Sequence, residues 1–115
     1  MIIYVYEKCS TCKSALLFLQ EHKVLFTKKE ISKEPPTVAE LRQMLNYQNG
    51  NLKKLFNSSG VLYKEMQMKE LLQELRINEA FSLLTQHGML VKRPFLLGED
   101  FGLLGFKKAE WSKVI

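Results

Sequence analysis

An α/β fold built on a small mixed sheet is predicted by three features of the sequence. Residues 1–6 (MIIYVY) form an unbroken apolar, β-branched and aromatic run, the pattern of a strand covered on both faces. Apolar residues at helical spacing follow, then a second strand-like run, making a strand–helix–strand unit whose strands are parallel. Near the C-terminus two further apolar runs flank the turn Gly98-Glu99-Asp100 and read as an antiparallel hairpin.

The elements can be placed in order. After the first strand, Glu7 to Cys12 is a polar turn, and Ala15, Leu16 and Leu19 carry a helix over about 13–22 with Ser10 or Thr11 as its N-cap. Residues 24–31 (VLFTKKEI) form the second strand. Pro35-Pro36 breaks the chain, and Thr37 with Glu40 has capping-box spacing for a helix striped by Leu41, Met44 and Leu45. Asn49-Gly50 is a turn, 52–56 a short helical piece, and Asn57-Ser58-Ser59-Gly60 a loop. Helices are predicted at 66–75 and 78–86, the latter stopped by Gly88. Residues 36–88 are therefore an all-helical insert, with Met44, Met66 and Met68 as core filler. Strands over 89–97 and 101–104 and a helix over 107–114, with Trp111 against the sheet, complete one domain spanning residues 1–115.

Composition agrees with this reading. The 115 residues are 46% hydrophobic and 25% charged, with 6 Gly and 3 Pro, which argues against disordered, collagenous and repeat architectures. No apolar run approaches the roughly 20 residues of a membrane span, and no basic stretch leads into a signal-type core. The expectation is a soluble cytoplasmic protein, monomeric and without membrane contact. A net charge of +5 comes from 17 Lys and Arg against 12 Asp and Glu. Only Arg42, Arg76 and Arg93 are arginine, and the lysines fall in scattered pairs (28–29, 53–54, 107–108). Clustered arginines with interleaved aromatics would signal nucleic acid; scattered pairs read as solvated faces, with weak attraction to an acidic partner surface as the alternative, so no direct nucleic-acid binding is expected.

Cys9 and Cys12 are the only cysteines and His22 and His87 the only histidines. Their spacing fits neither a disulfide framework nor a zinc finger, so no metal site is expected, and both histidines read as structural residues near helix C-termini. The chemistry lies in Cys9-Ser10-Thr11-Cys12, between a buried strand and a helix start. A thiol there faces unsatisfied N–H groups and the positive end of the helix dipole, which favour the thiolate. Lys8 and Lys13 add positive charge. Cys9 is the candidate nucleophile and Cys12 the candidate resolving thiol, a thioredoxin-like redox signature. Arg93-Pro94 at the start of the third strand is a candidate cis bond; in such folds that loop faces the active cysteine, putting Arg93 in reach of an anionic group.

The whole chain resembles the arsenate reductase/Spx family of thioredoxin-like proteins, in its arsenate-reductase-related branch. The resembling pieces are IYVYEKCSTCKSA, LFNSSGVLYKEM, MLVKRPFLL and LLGFKKAEW, running from residue 2 to 111. The resemblance implies a thioredoxin-like mixed sheet, βαβ then ββα, with a helical insert. It places Cys9 at the catalytic cysteine of the glutathione- and glutaredoxin-linked arsenate reductases, and Arg93 at one of their oxyanion-binding arginines. Two further family arginines fall near Asn57 and near Gly105-Phe106, and neither is arginine here. One guanidinium is weak provision for an arsenate oxyanion, and Ala15 stands where a phosphatase-type loop would need arginine.

The activity expected is thus thiol–disulfide exchange, with arsenate itself not the expected substrate. Candidate anion- or substrate-binding residues are Lys8, Ser10, Thr11, Lys13, Asn57, Arg93 and Pro94. No bound cofactor is expected; the reductant is glutathione, thioredoxin or glutaredoxin. The alternative comes from the Spx branch, whose members use a CxxC switch and bind the C-terminal domain of the RNA polymerase α subunit.

Overall fold

The first strand, Ile2–Val5 (β1), is apolar throughout because both of its faces are buried. Ile3 and Val5 join a layer with Ala15, Phe18, Leu19 and Trp111, whereas Tyr4 enters the opposite layer with Leu41, Met44, Phe81 and Phe95. The computed structural model describes residues 1–115, in the order β1, α1 (Ser10–Glu21), β2 (Thr27–Glu30), α2 (Val38–Tyr47), α3 (Val61–Glu65), α4 (Met68–Leu71), α5 (Ile77–Gln86), β3 (Phe95–Leu97), β4 (Gly102–Leu104) and α6 (Lys108–Trp111). The sheet order is β2-β1-β3-β4. β1 runs parallel to β2, with Tyr4 opposite Lys29, and antiparallel to β3, with Tyr4 opposite Phe95. β3 and β4 form the antiparallel hairpin.

The second strand is shorter than its predicted 24–31. Lys23 turns the chain at φ 56°, and Val24 N–H donates to the Leu19 carbonyl, 3.0 Å away. Val24 and Phe26 then pack beside α1 while Leu25 is exposed. Only Thr27–Glu30 reaches the sheet. It is an edge strand carrying Lys28 and Lys29, and edge charge discourages pairing with another chain.

Every element between β2 and β3 is helical. α2 opens with the capping box read from the sequence: Glu40 N–H donates to Thr37 Oγ1 at 3.1 Å, and Thr37 N–H to Glu40 Oε1 at 2.9 Å. The same carboxylate oxygen accepts the Tyr4 hydroxyl at 2.6 Å, tying α2 to the centre of the sheet. Burial, then the Glu40 hydrogen bond, holds the Tyr4 phenol well above its ordinary pKa. The turn at Asn49 (φ 57°) and Gly50 (φ 78°) is left-handed, as its residue types require.

Four sequence expectations need correction. The helix predicted at 66–75 shrinks to α4, and a further short helix, α3, precedes it, the two separated by Gln67 at φ 52°. Tyr63 and Met68 are both buried in one core, yet on a continuous helix residues five apart point roughly 140° away from each other; the break re-aims Met68. Gly88 does not cap α5 through a left-handed turn; His87 is the C-cap. Gly88 is instead pressed on the second-strand region, where a Cβ would overlap the Ile31 carbonyl. The third strand covers only Phe95–Leu97 rather than 89–97, because Lys92 N–H donates to the Leu55 carbonyl (2.8 Å) and Pro94 has no donor to offer. The last helix ends at Trp111 rather than 114, and the tail closes in turns whose Val114 and Ile115 N–H groups return to the Trp111 carbonyl.

Two glycines separate packing from backbone effects. Gly88→Ala must displace the Ile31 backbone and is expected to cost about 3 kcal/mol or more. Gly50→Ala has nothing within 4 Å of the added Cβ and should cost only about 1–2 kcal/mol for its left-handed backbone. Urea unfolding midpoints of the two variants check the order, and a smaller loss at Gly88 would contradict the close approach.

Candidate active site: a dithiol at the head of a helix in a cationic cleft

β1 delivers the chain out of the sheet at Tyr6, and Cys9 N–H bonds back to the Tyr6 carbonyl at 3.0 Å. Cys9, not Ser10 or Thr11, is the N-cap of α1: its backbone is extended (φ −98°, ψ 111°) and its Sγ accepts the Cys12 N–H at 3.2 Å. The sequence reading favoured hydroxyl caps because oxygen is the usual acceptor. Here the sulfur takes that place, so helix-end donors point at the candidate nucleophile. Cys9 is half-buried and free, and Cys12, also free, is 1% exposed.

The two thiols differ in burial. Burial, then the hydrogen bond with Cys9, pushes the Cys12 thiol up to about 12, against smaller downward pulls from the Tyr6 backbone and the Arg93 charge. Cys12 therefore remains a protonated thiol at neutral pH. It can serve as a resolving group only by giving up its proton as it attacks.

Cys9 opens onto a cleft of about 1110 Å³. Its walls come from the head of α1, the end of α2, and the segments around 51–65, 89–93 and 104–110. Two of these segments are clasped together by main-chain bonds, Asn57 N–H to the Leu90 carbonyl at 2.7 Å and Lys92 N–H to the Leu55 carbonyl at 2.8 Å, around an antiparallel Phe56–Val91 bridge. Gln48, the C-cap of α2, donates to the Gly102 carbonyl at 3.2 Å and fixes a further wall to β4.

Of the predicted site residues, Cys9, Thr11, Asn57 and Arg93 line this cleft. Lys8, Ser10 and Lys13 are exposed and do not line it, so neither lysine is placed to face a ligand there. Pro94 is buried after a cis Arg93–Pro94 bond and does not line the cleft. Arg93 lies with its guanidinium carbon 5.1 Å from the Tyr6 ring centroid, a cation–π distance. Its one hydrogen bond within the protein is a long contact from Nη1 to the Met89 carbonyl at 3.5 Å, and its buried Nε has no partner.

Sequence reasoning missed the lysines of the cleft. Lys53, Lys54, Lys92 and Lys107 line it together with Arg93, although the sequence pattern of scattered pairs reads as solvated faces. The pairs were visible, but their convergence depends on tertiary folding of distant segments. The single ion pair of the molecule, Lys29–Glu34 at 3.6 Å, involves none of these cations. His22 does close α1 as its C-cap, with Nδ1 2.8 Å from the Phe18 carbonyl. No group of three His, Cys, Asp or Glu is arranged to hold a metal ion.

A mixed sheet with a Cys-x-x-Cys at the exit of its buried strand, facing a cis-proline segment, defines the class as thioredoxin-like. Within that class, a model of the ArsC family matches residues 4–114, and the chain belongs to that family. It is 34% identical over 113 residues to the uncharacterized protein YusI of Bacillus subtilis, covering 98% of this chain and 96% of that one. It is 25% identical over 115 residues to the global transcriptional regulator Spx 2 of Bacillus cereus, covering 100% and 86%. Among solved structures, an ArsC-family-related protein from Bacteroides fragilis superposes with a TM-score of 0.90 at 39% identity, over 97% of this chain and 94% of that one. A protein described as a possible arsenate reductase from Streptococcus mutans gives 0.89 at 35% identity, over 99% and 97%.

The asymmetry of the thiols has two measurable consequences. At neutral pH, iodoacetamide should modify Cys9 alone in the native protein, with Cys12 labelled only after unfolding; peptide mass mapping reads this directly. The raised Cys12 value also means that the native state holds a proton the unfolded chain releases. Its contribution to stability is therefore full below the ordinary thiol value of 9.0 and lost as pH rises toward about 12. Between about pH 9 and pH 11 the thermal midpoint should fall less in Cys12→Ala than in the unsubstituted protein.

Proposed function

We propose that this chain is a cytoplasmic thiol–disulfide oxidoreductase, with Cys9 as nucleophile and Cys12 as resolving thiol. The observation that carries the reading is the placement of a half-exposed Cys9 sulfur at the head of a 12-residue helix, in a cationic cleft, with a protonated Cys12 behind it. The Cys12 N–H at the head of the helix donates to the Cys9 sulfur. Cys9 attacks one sulfur of a substrate disulfide; the S–S bond breaks, a mixed disulfide forms, and the departing thiolate takes a proton from solvent. Cys12 then loses its proton and attacks the Cys9 sulfur. The Cys9–Cys12 bond forms, and the substrate leaves as its second thiol. Two electrons pass from the dithiol to the substrate. Glutathione, thioredoxin or glutaredoxin is the proposed reductant that restores the dithiol.

The cleft favours an organic disulfide over arsenate. Asn57 and the Gly105-Phe106 pair contribute no charge, leaving Arg93 as the single guanidinium, and fork-like pairing to a compact oxyanion is the role that lysine fills least well. The test is turnover of a disulfide substrate with a thiol reductant. Cys9→Ser should reduce it to the uncatalysed background, and Cys12→Ser should accumulate the mixed disulfide visible by mass spectrometry. Equal activity in both variants would falsify the assignment.

A second reading follows from the relatives named as global transcriptional regulators, two of which align with the whole of this chain. In that reading the Cys9–Cys12 pair switches binding to the RNA polymerase α subunit. Titration of the isolated α C-terminal domain with reduced and oxidised protein separates the two. Absence of binding in both states leaves the oxidoreductase reading alone.

A further inference from the structure

The cleft beside Cys9 is larger and more cationic than exchange with a small thiol requires. Binding sites for small molecules are typically about 300–1,000 Å³, whereas this cleft measures about 1110 Å³ and draws on five separate segments of chain. Five cations line it, Lys53, Lys54, Lys92, Arg93 and Lys107, against two carboxylates, Glu65 and Glu110. None of the five is in an ion pair, since the molecule's one pair is Lys29–Glu34. A surplus of unpaired cations in a concave site is a field that gathers negative charge.

The kind of cation narrows the kind of anion. Four of the five are lysines, compact charges on flexible stems, which suit carboxylates spread along a chain; a compact oxyanion calls for converging arginine forks. Between the charges the cleft offers neutral hydrogen-bonding groups, Gln48, Asn51, Asn57, Ser58 and Ser59, which suit the backbone amides of an extended peptide. The single sulfur nucleophile stands at one wall of this arrangement. Together these features describe a polypeptide that presents a sulfur at one point and carboxylates at others.

We propose that the cleft takes an acidic, cysteine-bearing segment of a partner protein, whose carboxylates meet Lys53, Lys54, Lys92 and Lys107 while its disulfide sulfur is exchanged at Cys9. The proposal rests on the thiol–disulfide reading above and names the substrate class for the same site. The balance of the reaction is unchanged: the partner's disulfide is reduced to two thiols, the Cys9–Cys12 dithiol is oxidised to a disulfide, and a small thiol or dithiol protein restores it.

The test uses the full chain and three chromogenic mixed disulfides of 2-nitro-5-thiobenzoate. One is a short peptide with Glu and Asp flanking its cysteine, the second has Gln and Asn in their place, and the third is glutathione. Release of the chromophore is followed at low and at high salt. The expected result is exchange about ten-fold faster with the acidic peptide than with the neutral one at low salt, with the gap closing as salt screens the cleft. Lys53→Gln/Lys54→Gln should shrink the acidic-to-neutral ratio, while the charge-matched Lys28→Gln/Lys33→Gln, on the far edge strand and its following turn, should preserve it. Equal rates for the two peptides overturn the proposal, as does a ratio that falls equally in both double variants. A glutathione disulfide that outruns the acidic peptide assigns the cleft to a small thiol instead. If no disulfide reacts faster at Cys9 than at free cysteine, the exchange reading itself fails, a result distinct from the loss of charge preference alone.

Discussion

β1 has no solvent face, and most of the molecule is arranged to keep it that way. Ile3 and Val5 need a cover on one side and Tyr4 on the other, and burying each such side chain is worth about 1.5–3 kcal/mol. α1 and α6 supply the first cover and the helices between β2 and β3 the second. The dithiol inherits its properties from this constraint. As the chain leaves β1 it turns directly into α1, so the residue at the turn stays at the rim while the one a helical turn later is drawn into the layer with Ala15 and Phe18. One sulfur is thus accessible and the other desolvated, without any further device to distinguish them.

The second cover also builds the cleft. α2 is held against the sheet by Tyr4 and Glu40, a contact in which one carboxylate oxygen serves both the helix cap and the buried phenol. Beyond α2, the chain returns to bridge Phe56 with Val91, placing the polar 57–60 loop opposite the dithiol. Reach across the cleft is therefore set by main-chain hydrogen bonds on one wall and by a helix head on the other. Flexible lysine stems line the cleft, while the backbone around the sulfur is held by the helix head and main-chain hydrogen bonds.

Much of this was legible in the sequence, for identifiable reasons. The apolar MIIYVY run, the Thr37–Glu40 capping box and the turn at Asn49-Gly50 are local patterns, and the structure holds each where the pattern put it. Cys9 and Cys12 stand out because two cysteines at that spacing before a helix have few other uses. What escaped depended on contacts distant in sequence. The 89–97 run looked like one strand because Met89, Leu90 and Val91 are apolar, yet Val91 serves Phe56 rather than the sheet. The break at Gln67 follows from where Tyr63 and Met68 must point, which no local pattern states. Lys53 and Lys107 are more than fifty residues apart, and only the folded chain makes them neighbours of one cleft.

Trp111 is the only tryptophan of the chain and is fully buried. Its indole N–H donates to the Gly105 carbonyl at 3.1 Å, and its ring meets Phe106 edge-on with centroids 5.0 Å apart. Gly105 and Phe106 are both wall residues of the cleft. The protein therefore contains one indole fluorophore, excitable apart from its four tyrosines, hydrogen-bonded to the wall that an occupant would press on. Shifts of that wall reach the indole through a single hydrogen bond and a single ring contact, so emission from the unlabelled protein is a built-in optical reporter of what the cleft holds.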